Sequence, residues 1–492
     1  MATLLRFTQN QVEAFFAASQ DANPLHRDPA YAQRSQFGKP VMYGMAAVLY
    51  GLGQWSAGKP FRLSSLRADF RKPLVPDEPY DLQITTLREG HRVRIGKGPI
   101  DYALISFTTE SWQPDVDTAS SLQAAAPSVR LSAATEPQTQ ARSFRYDVPL
   151  GALGQVQSAF GIVPGSLPAS QLAAILWASY HVGMEMPGRQ ALFAELRVEF
   201  SSEVNRAPQL NLELAAATFD DRFNRYTLSG RGTGIARFNL AAFNRPQPVD
   251  FPLSAIPAFA AEELSLQGKT VFVSGATRGF GASIARICAL AGARVAIHYR
   301  RDAAAAQAIR DELLGAGKQC EIFNADLEDP RAMAEMGATI SASLGHLDLI
   351  INSAAPPIRE LQFLEQSNDD LLEFTRQNLK ITLETARHLL PLLRTGGQFL
   401  HVSTQYLSSP VRGFSHYLTA KAAQEGLIGA LAQEYRDTEF IVARLPRILT
   451  DQTNLPFSFK PASPPWKVAL DLLRLVKAPG IDNFRLIDLS RS

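Results

Sequence analysis

Sulfur is scarce in this chain: 492 residues include only two cysteines, Cys288 and Cys320. They fall in what reads as a helix and a strand, with neither CxxC nor metal-type spacing. A disulfide framework is thereby excluded, and inert core thiols in a reducing compartment are expected. No apolar run approaches the ~18 residues a membrane span needs, and "MATLLRFTQNQVEAFF" lacks an apolar stretch followed by a small-residue cleavage site. A cytoplasmic protein without a membrane partner is expected. An excess of one charge is also missing, with 49 Lys+Arg against 47 Asp+Glu, so no global field recruits nucleic acid. No metal set is legible either. What is present, 46% hydrophobic and 20% charged residues, is the composition of a folded globular chain. A single core stops growing at roughly 250–300 residues, so several domains are expected.

Two stretches mix Pro, Gln, Ser and Ala without periodicity, Ala124 to Arg142 and Asn244 to Glu262, and read as linkers. They divide the chain into domains at 1–128, 143–246 and 264–492. The first two repeat one another. "FRLSSLRADF" (Phe61–Phe70) and "ALFAELRVEF" (Ala191–Phe200) share Leu-Arg-x-acid-Phe 130 residues apart, each after an apolar helical stretch and before strand-like runs. A long apolar helix wrapped by antiparallel strands is a hot-dog fold, and two in one chain make an α+β double hot dog. From Leu264 onward, apolar strands ("KTVFVSGA", "ARVAIHY", "LDLIINSA", "GQFLHVST", "FIVARLP") alternate with helical segments, the pattern of an α/β doubly wound parallel sheet of Rossmann type.

The segment "SQDANPLHRDPAYA" ends a helical run at Pro24 and carries Asp21, Asn23 and His26 on a bent loop. A carboxylate and an imidazole held together can share proton work, one at carbon and the other at oxygen. The pattern S-x-D-x-N-P-L-H-x-D-x-x-Y-A, continued by F-G-x-P-V-x-Y-G-M, closely resembles the signature of R-specific enoyl-CoA hydratases, the MaoC-like dehydratases. That resemblance implies Asp21 and His26 as the catalytic pair, Asn23 as loop support, and Gly44 as donor of a backbone amide to a thioester carbonyl. A helix N-terminus suits a developing enolate oxygen. Tyr43 stands where the family has His. Shifted by 130, Asp21 and His26 fall on Gly151 and Val156, so the second unit is expected to be degenerate, with His181 and Glu185 in core or interface roles.

"VFVSGATRGFGASIA" sets Gly275, Gly279 and Gly281 between a strand and a helix, a pyrophosphate cradle. Its G-x-x-x-G-x-G spacing resembles the short-chain dehydrogenase/reductase family. The resemblance implies cofactor contacts from Thr277, Arg278, Phe280, Asp326, Asn352, Ala354 and Thr450, and catalytic roles for Asn378, Tyr417 and Lys421. Tyr417 and Lys421, four apart, share a helix face, and the ammonium is expected to lower the phenol's pKa. The family serine falls on Thr404, with Ser403 one step earlier, and either hydroxyl fits. Arg447 replaces a family glycine. Arg300 and Arg301 end the second strand, where NAD-preferring relatives place an acid; basic residues match a 2′-phosphate, so NADPH is expected.

The sequence thus reads as a β-ketoacyl thioester reductase fused to a double hot-dog dehydratase. The β-keto thioester becomes an (R)-3-hydroxyacyl thioester and then a trans-2-enoyl thioester, as in fatty-acid or polyketide biosynthesis. Two alternatives stand beside it: catabolic hydration followed by oxidation, and an acyl-carrier-protein-binding scaffold with one dead site. The substrate rides on acyl carrier protein or coenzyme A, and a homo-oligomer through the last domain is left open. Arg62, Arg67, Arg71 and Lys72 are either a basic rim or a solvated face.

Overall fold

The computed structural model describes residues 3–113, 134, 136–202, 207–247, 249–257, 261, 263–454, 462–477 and 482–489. Most of the first expected linker lies outside them. The chain forms two compact units, one ending at Gln247 and one beginning at Pro248.

Strands β1 (Thr3–Leu5), β2 (Phe61–Phe70), β3 (Tyr80–Thr86), β4 (His91–Lys97), β5 (Ile100–Ser111), β6 (Arg142–Asp147), β7 (Ala191–Phe200), β8 (Gln209–Leu214), β9 (Thr218–Asp220), β10 (Arg225–Gly232) and β11 (Ile235–Asn244) build the first unit's sheet. Its order is β1-β3-β4-β5-β2-β7-β11-β10-β8-β6, with β9 on β10. Both repeats therefore share one antiparallel sheet, joined at the β2–β7 seam, where Arg67 lies opposite Arg197. The repeated Leu-Arg-x-acid-Phe meets its own copy there. Like charges face to face destabilise a strand pair, and here each arginine reaches a nearby acid, Asp69 for Arg67 and Glu195, just before the second motif, for both. Arg62 pairs with Glu110 and Arg71 with Asp101, so these residues form a solvated, charge-paired face rather than a basic rim.

Before each long helix comes a shorter one. Helix α1 (Gln9–Ser19) leads through the turns α2 (Pro24–Arg27) and α3 (Pro29–Gln33) to α4 (Gly44–Ser56), and α5 (Leu150–Ala159) leads to α6 (Ala169–Tyr180). Thr8 and Gln11 cap α1 reciprocally, and Gln20 ends it in the left-handed region at φ 57°. Apart from its solvent edge, α4 buries Met45, Ala46, Ala47, Val48, Leu49 and Leu52, and α6 is buried along its length. Removing a leucine from such a core typically costs about 2–5 kcal/mol. The sequence suggests one helix through Met184, but a π-helical turn spans His181–Glu185 instead.

In the second unit, β12 (Thr270–Val273), β13 (Arg294–Tyr299), β14 (Cys320–Asn324), β15 (Leu347–Asn352), β16 (Leu393–Thr404), β17 (Glu439–Leu445) and β18 (Phe484–Asp488) form a parallel sheet in the order β14-β13-β12-β15-β16-β17-β18. Helices α7 (Gly279–Leu290), α8 (Ala303–Gly315), α9 (Pro330–Leu344), α10 (Asn368–Leu389), α11 (Ser415–Glu434) and α12 (Pro465–Lys477) connect them, with an apolar core on each face of the sheet. Burial raises the Cys288 and Cys320 thiols to about 12, so neither ionises readily. Among the described residues no helix is long and apolar enough to cross a membrane.

Candidate active sites

Asp21 and Asn23 lie on the loop between α1 and α2, and His26 lies on α2 itself, a shape that follows from local chemistry. Asn23 Oδ1 accepts from Leu25 N at 3.0 Å and caps the turn that Pro24 opens. The His26 Nδ1 proton is donated to Val41 O at 2.7 Å, which leaves the Nε2 lone pair as the imidazole's base. Tyr43 secures both ends of the loop: its hydroxyl donates to Asp21 O at 2.8 Å, and its ring lies 3.9 Å from the His26 ring. The tyrosine in the family's histidine position thus supports the loop. With its hydroxyl used this way, Tyr43 offers α4 no side-chain cap, so the amides of the first turn at Gly44 have no side-chain acceptor.

The second repeat builds the other wall. Ser179 Oγ on α6 donates to Asp21 Oδ2 at 2.8 Å, and Asn23 N donates to Asp21 Oδ1 at 3.1 Å. Asn23 Nδ2 donates to Gly183 O at 3.2 Å and Gly188 O at 2.9 Å. In an α-helix the Gly183 carbonyl would accept from residue 187, but Pro187 has no N–H, so the carbonyl is available to Asn23. A side chain at Gly183 would place Cβ 2.1 Å from Asp21 Oδ1. Ser179, Gly183 and Tyr146, whose hydroxyl donates to Ser19 O at 3.0 Å, escaped sequence reasoning because each stands more than a hundred residues from the loop. The one local trace is the spacing Gly183-x-x-x-Pro187.

Burial raises Asp21 to about 7, against the opposing bonds from Ser179 and Asn23, and lowers His26 to about 4. A desolvated site favours the neutral form of both groups. Between those values Asp21 is a carboxylic acid and His26 a neutral imidazole, one proton donor and one acceptor five residues apart.

The second repeat has no matching pair, although the register differs from the expected one. Aligning the ends of α1 and α5, Ser19 with Ala159, puts Gly161 at the place of Asp21 and Ser166 at that of His26. Gly151 and Val156 lie inside α5 instead. His181 is enclosed by Trp177 and Phe144, and Glu185 pairs with Arg142 at 2.9 Å.

In the second unit, the turn between β12 and α7 needs its glycines. Gly275 and Gly279 have φ of +65° and +56°, and a Cβ at Gly281 would sit 2.4 Å from Gly275 O. His298, unremarked in the sequence, anchors this turn. Its Nδ1 accepts from Gly275 N at 3.2 Å, so Nε2 carries the proton and donates to Ala325 O at 3.0 Å. Ser274 Oγ accepts from Ser353 N and Ala354 N, and Asn352 bonds Ser274, Thr382 and His401. Thr450 packs against Gly279, Thr277 is half-buried in the turn, and Arg278 is the residue before α7. This backbone cradle, open only where Cβ atoms are missing, fits a dinucleotide pyrophosphate. Phe280 is the exception, since its side chain lies in the apolar core.

The structure distinguishes the two hydroxyls. Alternate residues of β16 face opposite ways; Ser403 Oγ donates to Glu425 Oε1 at 2.6 Å, whereas Thr404 Oγ1 accepts from Tyr406 N at 3.2 Å on the side of the Tyr417 phenol, whose pKa it lowers. Lys421 Nζ donates to Val402 O at 2.8 Å. Burial raises Tyr417 to about 12, opposed by the Thr404 bond, and lowers Lys421 to about 8. The expected lowering of the phenol by lysine is therefore corrected: burial raises it, and the opposing contribution comes from Thr404 rather than Lys421. Asn378 is buried and bonds Phe374 O through Nδ2, while Gln424 Nε2 donates to its carbonyl; among the described residues it makes no hydrogen bond to Tyr417 or Lys421. Arg300 lies 3.8 Å from both Asp326 and Glu328, and Arg301 is exposed. Arg447 Nη2 donates to Thr453 O at 2.7 Å, bracing the loop that carries Thr450.

Because Thr404 is the hydroxyl on Tyr417, Thr404→Val should lower any carbonyl reduction at this site at least tenfold more than Ser403→Ala. Steady-state rates of both variants check this, and the reverse ranking would reassign the role.

Residues 3–103 match the family model described as a MaoC like domain, and residues 269–453 that described as short chain dehydrogenase. Among curated proteins, the chain is 29% identical over 183 residues to a short-chain type dehydrogenase/reductase of Picea abies, covering 35% of this chain and 68% of that one. It is 30% identical over 173 residues to a hydroxynaphthalene reductase of Aspergillus fumigatus, covering 35% and 63%. A fatty acyl-CoA reductase of Acinetobacter baylyi is 30% identical over 175 residues, covering 35% and 58%. The matched region thus spans only about three fifths of the length of the last two relatives. Among solved structures, a dehydrogenase/reductase from Sinorhizobium meliloti is 27% identical with a TM-score of 0.43, covering 47% of this chain and 97% of that one. A short chain dehydrogenase from Burkholderia cenocepacia in complex with NADP is 26% identical with a TM-score of 0.41, covering 46% and 98%.

Proposed function

For a chain that carries a MaoC-like dehydratase domain and a short-chain dehydrogenase/reductase domain, we propose a bifunctional enzyme that reduces a β-ketoacyl thioester with NADPH and dehydrates the (R)-3-hydroxyacyl product to the trans-2-enoyl thioester. The observation that carries this reading is the pairing, in one chain, of Thr404–Tyr417–Lys421 with the acid Asp21 and the base His26.

In the reductase unit the nicotinamide supplies a hydride when bound. Tyr417, protonated at neutral pH, donates its proton to the carbonyl oxygen, and Thr404 orients that oxygen. Lys421 contributes positive potential from beside β16. The amides of Gly279 and Gly281 would hold the pyrophosphate, while Gly275, its own amide donated to His298, shapes the turn. Arg300, whose 3.8 Å contacts to Asp326 and Glu328 are looser than hydrogen bonds, can turn with Arg301 to a 2′-phosphate. Phe280, in the core, shapes the turn through its backbone.

In the hot-dog unit, His26 Nε2 takes the α-proton, the first-turn amides of α4 stabilise the enolate oxygen, and Asp21 protonates the departing hydroxyl. Reactivity belongs to the state with one proton on the pair. Dehydration should therefore fall as pH rises through about 7 and again below about 4. Ser179 stabilises the ionised carboxylate, so Ser179→Ala should move the upper limb to higher pH by about one unit, the size of one hydrogen bond to a charged group. A fall in rate with an unmoved limb would give Ser179 a merely structural part.

The overall test supplies purified chain with an acetoacetyl thioester and either NADPH or NADH. Oxidation of NADPH with appearance of 3-hydroxyacyl and enoyl products supports the reading; 3-hydroxyacyl oxidation with NAD as the only activity would favour the catabolic order. Neutralising Arg300 and Arg301 should raise KM for NADPH at least tenfold more than that for NADH. Equal changes would remove both from 2′-phosphate recognition.

A further inference from the structure

Arg245, the first residue after β11, is only 5% exposed. Arginine keeps its charge at any ordinary pH, and a buried one is usually paired with a carboxylate. Here its partners are neutral: Nε donates to Ala191 O at 3.4 Å, and Nη2 to Tyr31 Oη at 3.2 Å and Arg189 O at 3.3 Å. Among the described residues no acid pairs with it, and Nη1 makes no hydrogen bond. Nor is Nη1 one of the unpartnered polar atoms sealed from solvent, as Trp177 Nε1 and both His181 nitrogens are.

A second cation stands at the same ring. The Arg189 guanidinium lies 5.1 Å from the Tyr31 ring centroid and that of Arg245 5.8 Å. Arg189 is exposed and has no acid partner among the described residues. Two guanidinium groups gathered around one phenol repel each other, and among the described residues Asp28, whose Oδ1 caps α3, forms no ion pair with either. Tyr31 fixes the arrangement by donating to Arg189 O at 2.8 Å, five residues beyond His26. An arginine pair without an acid, set beside a thioester-processing loop, is complementary to an oxyanion.

We propose that Arg245 and Arg189, organised by Tyr31, bind a phosphate of the phosphopantetheine handle that carries the acyl thioester. Arg245 offers the N–H pair on Nη1, and Arg189 offers a planar fork at the surface, the geometry that suits phosphate oxygens. The proposal rests on the dehydratase reading above. The phosphate is the shared chemistry of coenzyme A and of a carrier protein's prosthetic arm.

The test compares but-2-enoyl thioesters of coenzyme A, 3′-dephospho-coenzyme A, 4′-phosphopantetheine and phosphate-free pantetheine. Arg189→Gln, at an exposed position, and Arg245→Lys should each lower the kcat/KM ratio of coenzyme A to pantetheine thioester about tenfold, with the change in KM. A loss that persists with the phosphopantetheine thioester places the handle phosphate in the site. A loss confined to coenzyme A itself, absent with the 3′-dephospho form, places its 3′-phosphate there and overturns the handle assignment. An unchanged ratio in Arg189→Gln together with a folded Arg245→Lys would also overturn it and leave both as caps of loop carbonyls. If the wild type hydrates none of the thioesters, the dehydratase reading fails separately. Calorimetric titration with free coenzyme A then decides the site: weaker binding by Arg189→Gln supports it, and equal or absent binding overturns it.

Discussion

Replacing Tyr417 by Phe is expected to reduce ketoreduction by about a thousand-fold while an added 3-hydroxyacyl thioester is still dehydrated at the wild-type rate. The phenol beside Thr404 can give a proton to a carbonyl oxygen at neutral pH, and burial, raising it to about 12, keeps that proton in place. Loss of a positioned general acid typically costs a factor of 10²–10⁴. Phe preserves the ring and its edge contact with Phe414, so the fold is not at issue. The two reactions are read separately, by NADPH absorbance and by enoyl thioester absorbance. Loss of both in a folded protein would contradict two independent sites, since Asp21 and Tyr417 belong to different compact units.

The second large effect concerns Asp21. In the proposed mechanism Asp21→Asn removes the group that protonates the leaving hydroxyl, and dehydration should drop by about a thousand-fold. Given a β-keto thioester and NADPH, the variant should accumulate the (R)-3-hydroxyacyl thioester, whereas the wild type carries part of it on to the enoyl product. Chiral chromatography of the hydrolysed product measures this. Mainly (S)-alcohol, or unchanged enoyl formation, would end the proposal that the units act in sequence. A stability effect accompanies it. The folded-state pKa of Asp21 is raised from 3.8 to about 7, so the buried carboxylate destabilises the fold as pH rises from about 4 to 7 and continues to do so above. Asn carries no such charge, and the variant's Tm should exceed the wild type's at pH 8 but not at pH 4.

Much of the architecture was legible along the chain because it depends on short-range chemistry. The strand–glycine–helix order of 270–290, the Tyr417/Lys421 spacing and the Asn23-Pro24 turn each specify a local shape. The repeat at Phe61 and Ala191 also held, because the same strand motif meets its copy across the seam. The second loop departs from the 130-residue offset of the strands because the repeats differ in length between helices, so that offset does not carry back to α5. Of the two hydroxyls, sequence spacing alone kept both open; the alternation of β16 turns Ser403 to Glu425 and Thr404 to Tyr417.

By itself, then, the sequence determined the fold classes, the chemistry-bearing loop and the glycine cradle, since backbone propensity, proline and glycine act over a few residues. Only the tertiary structure decided what surrounds them. Ser179 and Gly183 reach Asp21 from about 160 residues away, and His298 reaches the glycine turn from the next strand. Desolvation, which raises Asp21, lowers His26 and raises Tyr417, is a property of the packed interior. No spacing of residues encodes it, because the solvent is excluded by groups distant in the chain.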